Sequence, residues 1–142
     1  MTDATAESFD EIAENFALFD DWEDRYRYVI DLGRQMEPLP EAERVDAHKV
    51  EGCASQVWLV PAVEGEGEGR RLHFRGDSDA MIVRGLIALL KALYSGRTLA
   101  EIRAIDAQAE LDRLGFGQAL SAQRSNGLKA MIRRLDGLAG AG

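Results

Sequence analysis

The hydrophobic period of this chain changes twice, and those changes limit its fold more than any other feature. From Phe9 to Met36, apolar residues recur at three- and four-residue spacings (Ile12, Phe16 and Phe19, then Tyr26, Val29, Ile30 and Gly33), which is the pattern of helix. Asp20-Asp21-Trp22 interrupts it and predicts a short first helix followed by a longer second one. Pro38-Leu39-Pro40 ends this region, because each proline disfavours helix in the residue before it. Glu41 to Arg44 reads as a brief helical turn or a loop. From Val50 the period shortens. Gln56 to Val60 is β-prone, and Arg70 to Phe74 alternates, with Leu72 and Phe74 on one side and His73 and Arg75 on the other. The two runs predict an antiparallel hairpin, with the glycine- and glutamate-rich segment from Glu64 to Gly69 as its loop tip.

Helical spacing then returns. Gly76-Asp77-Ser78-Asp79 is expected to supply the turn and N-cap for a helix carrying Met81, Ile82, Leu86, Ile87, Leu89, Leu90 and Leu93, closed by Gly96. Thr98-Leu99-Ala100-Glu101 fits a capping box and starts another short helix. Leu111, Leu114 and Phe116 suggest a further one ending near Gly115. Ser121 is placed to cap a last helix whose face of Leu128, Met131, Ile132 and Leu135 packs inward. Residues 1–8 and 137–142 are expected to be flexible ends. No repeat or linker divides the 142 residues, so they should form a single α+β domain: a small antiparallel sheet of about three strands packed against helices.

Charge and cysteine content narrow the function. A net charge of −8 opposes binding to phosphate backbones, so nucleic acid is not an expected partner. The first 24 residues are acidic and hold no Lys or Arg, which reads as a solvated helix face or a docking surface for a basic partner. No positive n-region or apolar h-region marks a signal peptide, and the apolar run from Met81 to Tyr94 is shorter than the roughly 20 residues that a bilayer needs. Neither export nor a membrane partner is expected. A single cysteine forms no internal disulfide, in keeping with the cytoplasm.

That cysteine, Cys53, is the one residue able to carry covalent sulfur chemistry, and it stands between Gly52 and the small residues Ala54 and Ser55. Free cysteines are often inert packing residues, and a packing role is one reading. The other is sulfur transfer, which needs little more than a thiolate, a setting that favours it and a partner that presents the donor sulfur. Dithiol chemistry would need a second cysteine. Cys53, His48 and His73 have no recognised zinc spacing, so no metal is expected. His48, five residues before Cys53, reads either as a base or helper cation for the thiol or as a surface loop residue.

The run Gly52-Cys53-Ala54-Ser55-Gln56-Val57-Trp58 closely resembles the SufE family of sulfur-acceptor proteins, whose signature is Gly-Cys-x-Ser-Gln-Val-Trp. Similar stretches follow in the family's order: Gly76-Asp77-Ser78-Asp79-Ala80 with Gly85-Leu86, then Leu114-Gly115, then Leu120 to Leu128. Ala122 replaces a proline frequent in the family.

The resemblance implies a domain similar to SufE and to IscU-like iron–sulfur scaffold proteins. It implies that Cys53 accepts persulfide sulfur from a pyridoxal-phosphate cysteine desulfurase (SufS-like or a paralogue), increases that enzyme's turnover, and relays sulfur toward an iron–sulfur scaffold. The chain would then bind no cofactor, since pyridoxal phosphate belongs to the partner, and would be a sulfur-transfer partner and not an independent enzyme. A homodimer is compatible with this. The alternative is a non-catalytic adaptor acting by contact alone, with Cys53 structural. Supporting roles fall to Gly52, Ser55, Gln56, Asp79, Arg124 and His48. Arg124 either stabilises the Cys53 thiolate or bonds carboxylates or carbonyls at a helix start. Asp79 is expected to restrain the acceptor loop and cap the helix. Gln56 and Trp58 are expected on opposite faces of their strand, one in the core and one toward the partner. A persulfide relay must also avoid oxidation, so Cys53 is expected to be partly shielded until docking swings the loop outward.

Overall fold

The computed structural model describes residues 9–51, 56–115 and 122–141. Helices α1 (Phe9–Ala17) and α2 (Trp22–Gln35) form where the spacing predicts them. Asp21 caps α2 by accepting from the Asp24 N–H at 2.9 Å, and Arg25 donates twice to the Phe19 carbonyl, which fixes the turn between the helices. Two 3₁₀ turns, Glu41–Glu43 and Asp46–His48, carry the chain to the sheet. The first matches the turn expected there.

Strands β1 (Val57–Glu64), β2 (Arg71–Ser78) and β3 (Arg97–Thr98) form an antiparallel sheet in the order β1-β2-β3. β1 runs past Val60 through Pro61, which an edge strand tolerates because its missing N–H need not join a ladder. Along β2, Leu72 and Phe74 are buried while Arg71 and Arg75 face outward, as the alternation predicts.

The predicted turn at Gly76-Asp77-Ser78 is wrong: these residues extend β2 and pair with Leu59, Trp58 and Val57. Gly76 serves close packing there. A Cβ on it would lie 2.7 Å from Ile87 Cγ2 and 2.9 Å from Leu59 Cδ2. Helix α3 (Met81–Tyr94) then starts after Ala80 with no side-chain cap, so Asp79 does not cap it.

Gly96 follows the end of α3 at φ +84°, donating its N–H to the Leu72 carbonyl at 2.8 Å. Helix α4 (Leu99–Ala104) has the expected capping box, with Thr98 Oγ1 accepting from the Glu101 N–H and the Glu101 carboxylate accepting from the Thr98 N–H. These bonds to Thr98 hold the Glu101 carboxyl below its usual pKa. Helix α5 (Ala107–Arg113) ends before Gly115, which has φ +87°. Helix α6 (Ala122–Ala141) buries Leu128, Met131, Ile132 and Leu135 as predicted, but continues as helix past Gly137, where the sequence suggests fraying. Ser121, its expected cap, lies outside the described residues, as do residues 1–8.

Helix α3 packs on both β2 and α2 and is the centre of the core, with Leu86, Ile87, Leu89, Leu90 and Leu93 all buried. Its crossing with α2 is too close for side chains at the contact. A Cβ on Gly85 would stand 2.2 Å from the Val29 carbonyl oxygen, and one on Gly33 would stand 2.6 Å from the Gly85 nitrogen. Backbone atoms cannot swing aside, so Gly85→Ala must push the helices apart. Overpacking costs about 1–3 kcal/mol; with rigid backbone 2.2 Å away the cost falls at the upper end, about 3 kcal/mol, leaving a net loss of about 2 kcal/mol after the ~1 kcal/mol that alanine gains over glycine in helix. Urea unfolding measures it; a midpoint equal to wild type would refute so close a crossing.

Candidate functional site

The segment that carries Cys53 joins two described residues, Glu51 and Gln56, whose neighbours are tied together. The Val50 N–H donates to the Val57 carbonyl at 2.8 Å, and Lys49 forms a bridge with Trp58, so the stem closes as an antiparallel pair. On the far side the Gln56 N–H donates to Asp79 Oδ1 at 3.1 Å, and the Asp79 N–H returns a bond to the Gln56 carbonyl at 3.3 Å. Asp79 therefore ties Gln56, just before β1, to the junction of β2 and α3. Gly52, Cys53 and Ser55 lie outside the described residues, and with them the expected shielding of the thiol.

Gln56 and Trp58 are not on opposite faces of one strand. Positions two apart share a side, and β1 begins only at Val57. Gln56 is exposed in front of the strand, whereas Trp58 is buried with the Arg44 guanidinium 5.6 Å from its ring centre.

Beneath the stem lies a buried carboxylate. Asp77 has no solvent exposure and gathers four partners: the Leu39 N–H at 3.0 Å and Arg44 Nη2 at 2.6 Å on Oδ2, the Ser78 N–H at 2.8 Å and Arg84 Nη1 at 3.5 Å on Oδ1. Burial alone would push this carboxyl up. The two backbone donors and the two guanidinium groups outweigh it and hold the pKa below the ordinary value, so the group is ionised near neutrality. Asp77 thus fastens the 39–44 segment to β2.

The rest of the upstream stem is held by ion pairs and backbone contacts. Glu43 forms a two-pronged ion pair with Arg75 of β2, which keeps the Glu43 carboxyl below its usual range. His48 is half-buried with Nδ1 2.8 Å from the Glu43 carbonyl. That contact occupies one ring nitrogen in holding the turn. From the opposite side Arg134 of α6 donates to the Ala47 carbonyl at 3.0 Å and the Lys49 carbonyl at 3.3 Å. Arg124 falls in the first turn of α6, and its side chain lies outside what is described.

Arg44 and Arg134 have no signal as site residues in the sequence, and Asp77 shows there only as a member of the family-like run Gly76 to Ala80 with local turn chemistry. Among the described residues, no group of three or more His, Cys, Asp or Glu side chains is arranged to hold a metal, and no helix is long and apolar enough to cross a membrane. An open cleft of about 510 Å³ lies elsewhere, lined by Phe9, Leu93, Arg97, Ile105 and Arg113. It shares no residue with the stem.

A three-stranded antiparallel sheet packed on helices, with the sole cysteine of the sequence falling between residues that the fold ties together, defines a small α+β domain. Over residues 10–139 the chain matches SufE, described as the Fe-S metabolism associated domain, and it belongs to that family. It is 51% identical over 128 residues to an uncharacterized SufE-like protein of Rhizobium meliloti (strain 1021), covering 90% of this chain and 91% of that protein. A second uncharacterized SufE-like protein, from Rhizobium etli, is also 51% identical over 128 residues, covering 90% of this chain and 86% of the relative. The fold is shared with a hypothetical protein from Thermus thermophilus known from its solution structure, with a TM-score of 0.72 at 18% identity over 94% of this chain and 93% of that one.

Proposed function

We propose that the chain accepts persulfide sulfur on Cys53 from a pyridoxal-phosphate cysteine desulfurase, increases that enzyme's turnover, and relays the sulfur toward iron–sulfur cluster assembly in the cytoplasm. One observation carries the reading: the family's Gly-Cys-x-Ser-Gln-Val-Trp segment, here Gly52 to Trp58, starts from a stem that the fold ties on both sides. Fixed flanking residues suit a thiol that must meet a partner's sulfur in one geometry.

The reaction is a sulfur exchange. The Cys53 thiolate attacks the terminal sulfur of the donor's cysteine persulfide; a new S–S bond forms on Cys53, the donor's S–S bond breaks, and the donor cysteine leaves as a thiolate that takes up a proton from water. The transferred sulfur keeps its oxidation state, so no external oxidant enters. Clearing the donor cysteine frees it for the next turnover.

Intact mass spectrometry after mixing the protein with a cysteine desulfurase, pyridoxal phosphate and L-cysteine tests the reading. The expected result is a gain of about one sulfur atom that reductant removes. No gain, together with faster desulfurase turnover, would refute it in favour of an adaptor that acts by contact alone.

A further inference from the structure

We infer that Arg134 is a positioning residue for sulfur transfer, fixing from the C-terminal helix the stem that leads into Cys53. Its guanidinium reaches the carbonyls of Ala47 and Lys49, residues 87 and 85 positions away in sequence. Those carbonyls belong to the Asp46–His48 turn and its following residue, where the chain leaves helical geometry before pairing with β1. A cation on carbonyls at the end of such a turn makes charge-assisted bonds, stronger than neutral ones.

The placement gives Arg134 a particular reach. Lys49 is four residues before Cys53 and bridges Trp58, and Val50 closes the stem on Val57. The downstream end is already bound to β2 and α3 through Asp79. Glu43 and Arg44 hold the upstream segment at its beginning, through Arg75 and Asp77. Arg134 holds it at its end, so its removal frees the residues that lead into Cys53 without touching the β1–β2 ladder. Reactions between held groups depend steeply on geometry, and loosening those residues lowers the fraction of docked complexes in which Cys53 meets the donor sulfur.

The inference rests on Cys53 being the acceptor. It is tested with Arg134→Met, Arg134→Lys as the conservative rescue, and Arg133→Met as a control at an exposed position on the same helix. Single-turnover transfer from a persulfidated desulfurase is measured against donor concentration, alongside thermal unfolding and amide exchange of residues 47–51. For Arg134→Met we expect a maximal rate lower by about 10-fold with a half-saturating concentration within about twofold of wild type. Amide exchange at 47–51 should be about 10-fold faster. Arg134→Lys should recover part of the rate, and Arg133→Met should behave as wild type. A wild-type protein that takes up no sulfur overturns the acceptor reading and this role with it. If wild type takes up sulfur and Arg134→Met matches its maximal rate, this inference alone is overturned. It is overturned equally if the rate falls only in step with the unfolding temperature and lysine rescues nothing.

Discussion

Cys53→Ser is expected to take up no sulfur from a charged desulfurase, while unfolding at the wild-type urea midpoint. Sulfur exchange requires a thiolate that can form an S–S bond, and a serine hydroxyl offers neither the ionisation nor the bond. The fold should persist because the stem is closed by other groups: the Val50–Val57 pair, the Lys49–Trp58 bridge and the two bonds between Gln56 and Asp79. The variant should therefore still dock and compete with wild type for the donor. The packing-residue reading makes the opposite forecast. A serine in an apolar pocket would bury an unsatisfied hydroxyl and cost about 1–3 kcal/mol, and desulfurase activation would survive in proportion to the folded fraction. A reducible mass gain on Cys53→Ser would refute the assignment of the acceptor.

What the sequence discloses and what it conceals divide along the range of the interactions. The split between α1 and α2, the capping box at Thr98 and the glycine that follows α5 all rest on bonds spanning a few residues, and the sequence predicts each. The run Gly76-Asp77-Ser78 has local turn chemistry and is nonetheless strand, because its residues answer to distant partners. Gly76 is pressed against Ile87 and Leu59, and Asp77 binds Leu39 and Arg44, 38 and 33 positions away. Residues that make turns elsewhere are here selected by tertiary packing, which overrides propensity.

The candidate site shows the same division. Cys53, Gln56 and Asp79 are legible because they lie in family segments, and the Gln56–Asp79 pair gives two of them a shared structural task. Arg44 and Arg134 are illegible because an arginine in sequence carries no sign of which remote carbonyl or carboxylate it will meet, and Asp77, although inside a family segment, reads locally as a turn residue and not as a buried anchor. The site is in this sense two systems: a short chemical segment written in one motif, and a stem whose rigidity comes from α6, β2 and the 39–49 segment together. Substitutions in the first should abolish sulfur uptake, and substitutions in the second should slow it.

Asp77→Ala tests the second system where it is deepest, and its expected cost is about 3–5 kcal/mol, the range for breaking a buried ion pair from one side. The carboxylate has no exposure, and its removal leaves the Leu39 N–H without its acceptor and Arg84 without its counter-ion. Arg84 tolerates that loss poorly: its side chain is only 15% exposed, and its buried Nε already lacks a hydrogen-bond partner. Arg44→Met should cost less, about 1–2 kcal/mol, because Asp77 keeps the Leu39 and Ser78 N–H donors and Arg84 as partners. Acid should reproduce part of the effect. Because folding lowers the Asp77 pKa, its contribution is fully present above the unfolded-state value of about 4 and is lost as pH falls through the lower folded value. Urea unfolding from pH 7 to pH 3 should show wild type losing stability below about pH 4, with a visibly shallower decline in Asp77→Asn, which has no charge to lose at this position. Equal costs for Asp77→Ala and Arg44→Met, or parallel acid profiles for wild type and Asp77→Asn, would mean that the buried carboxylate does not anchor the stem.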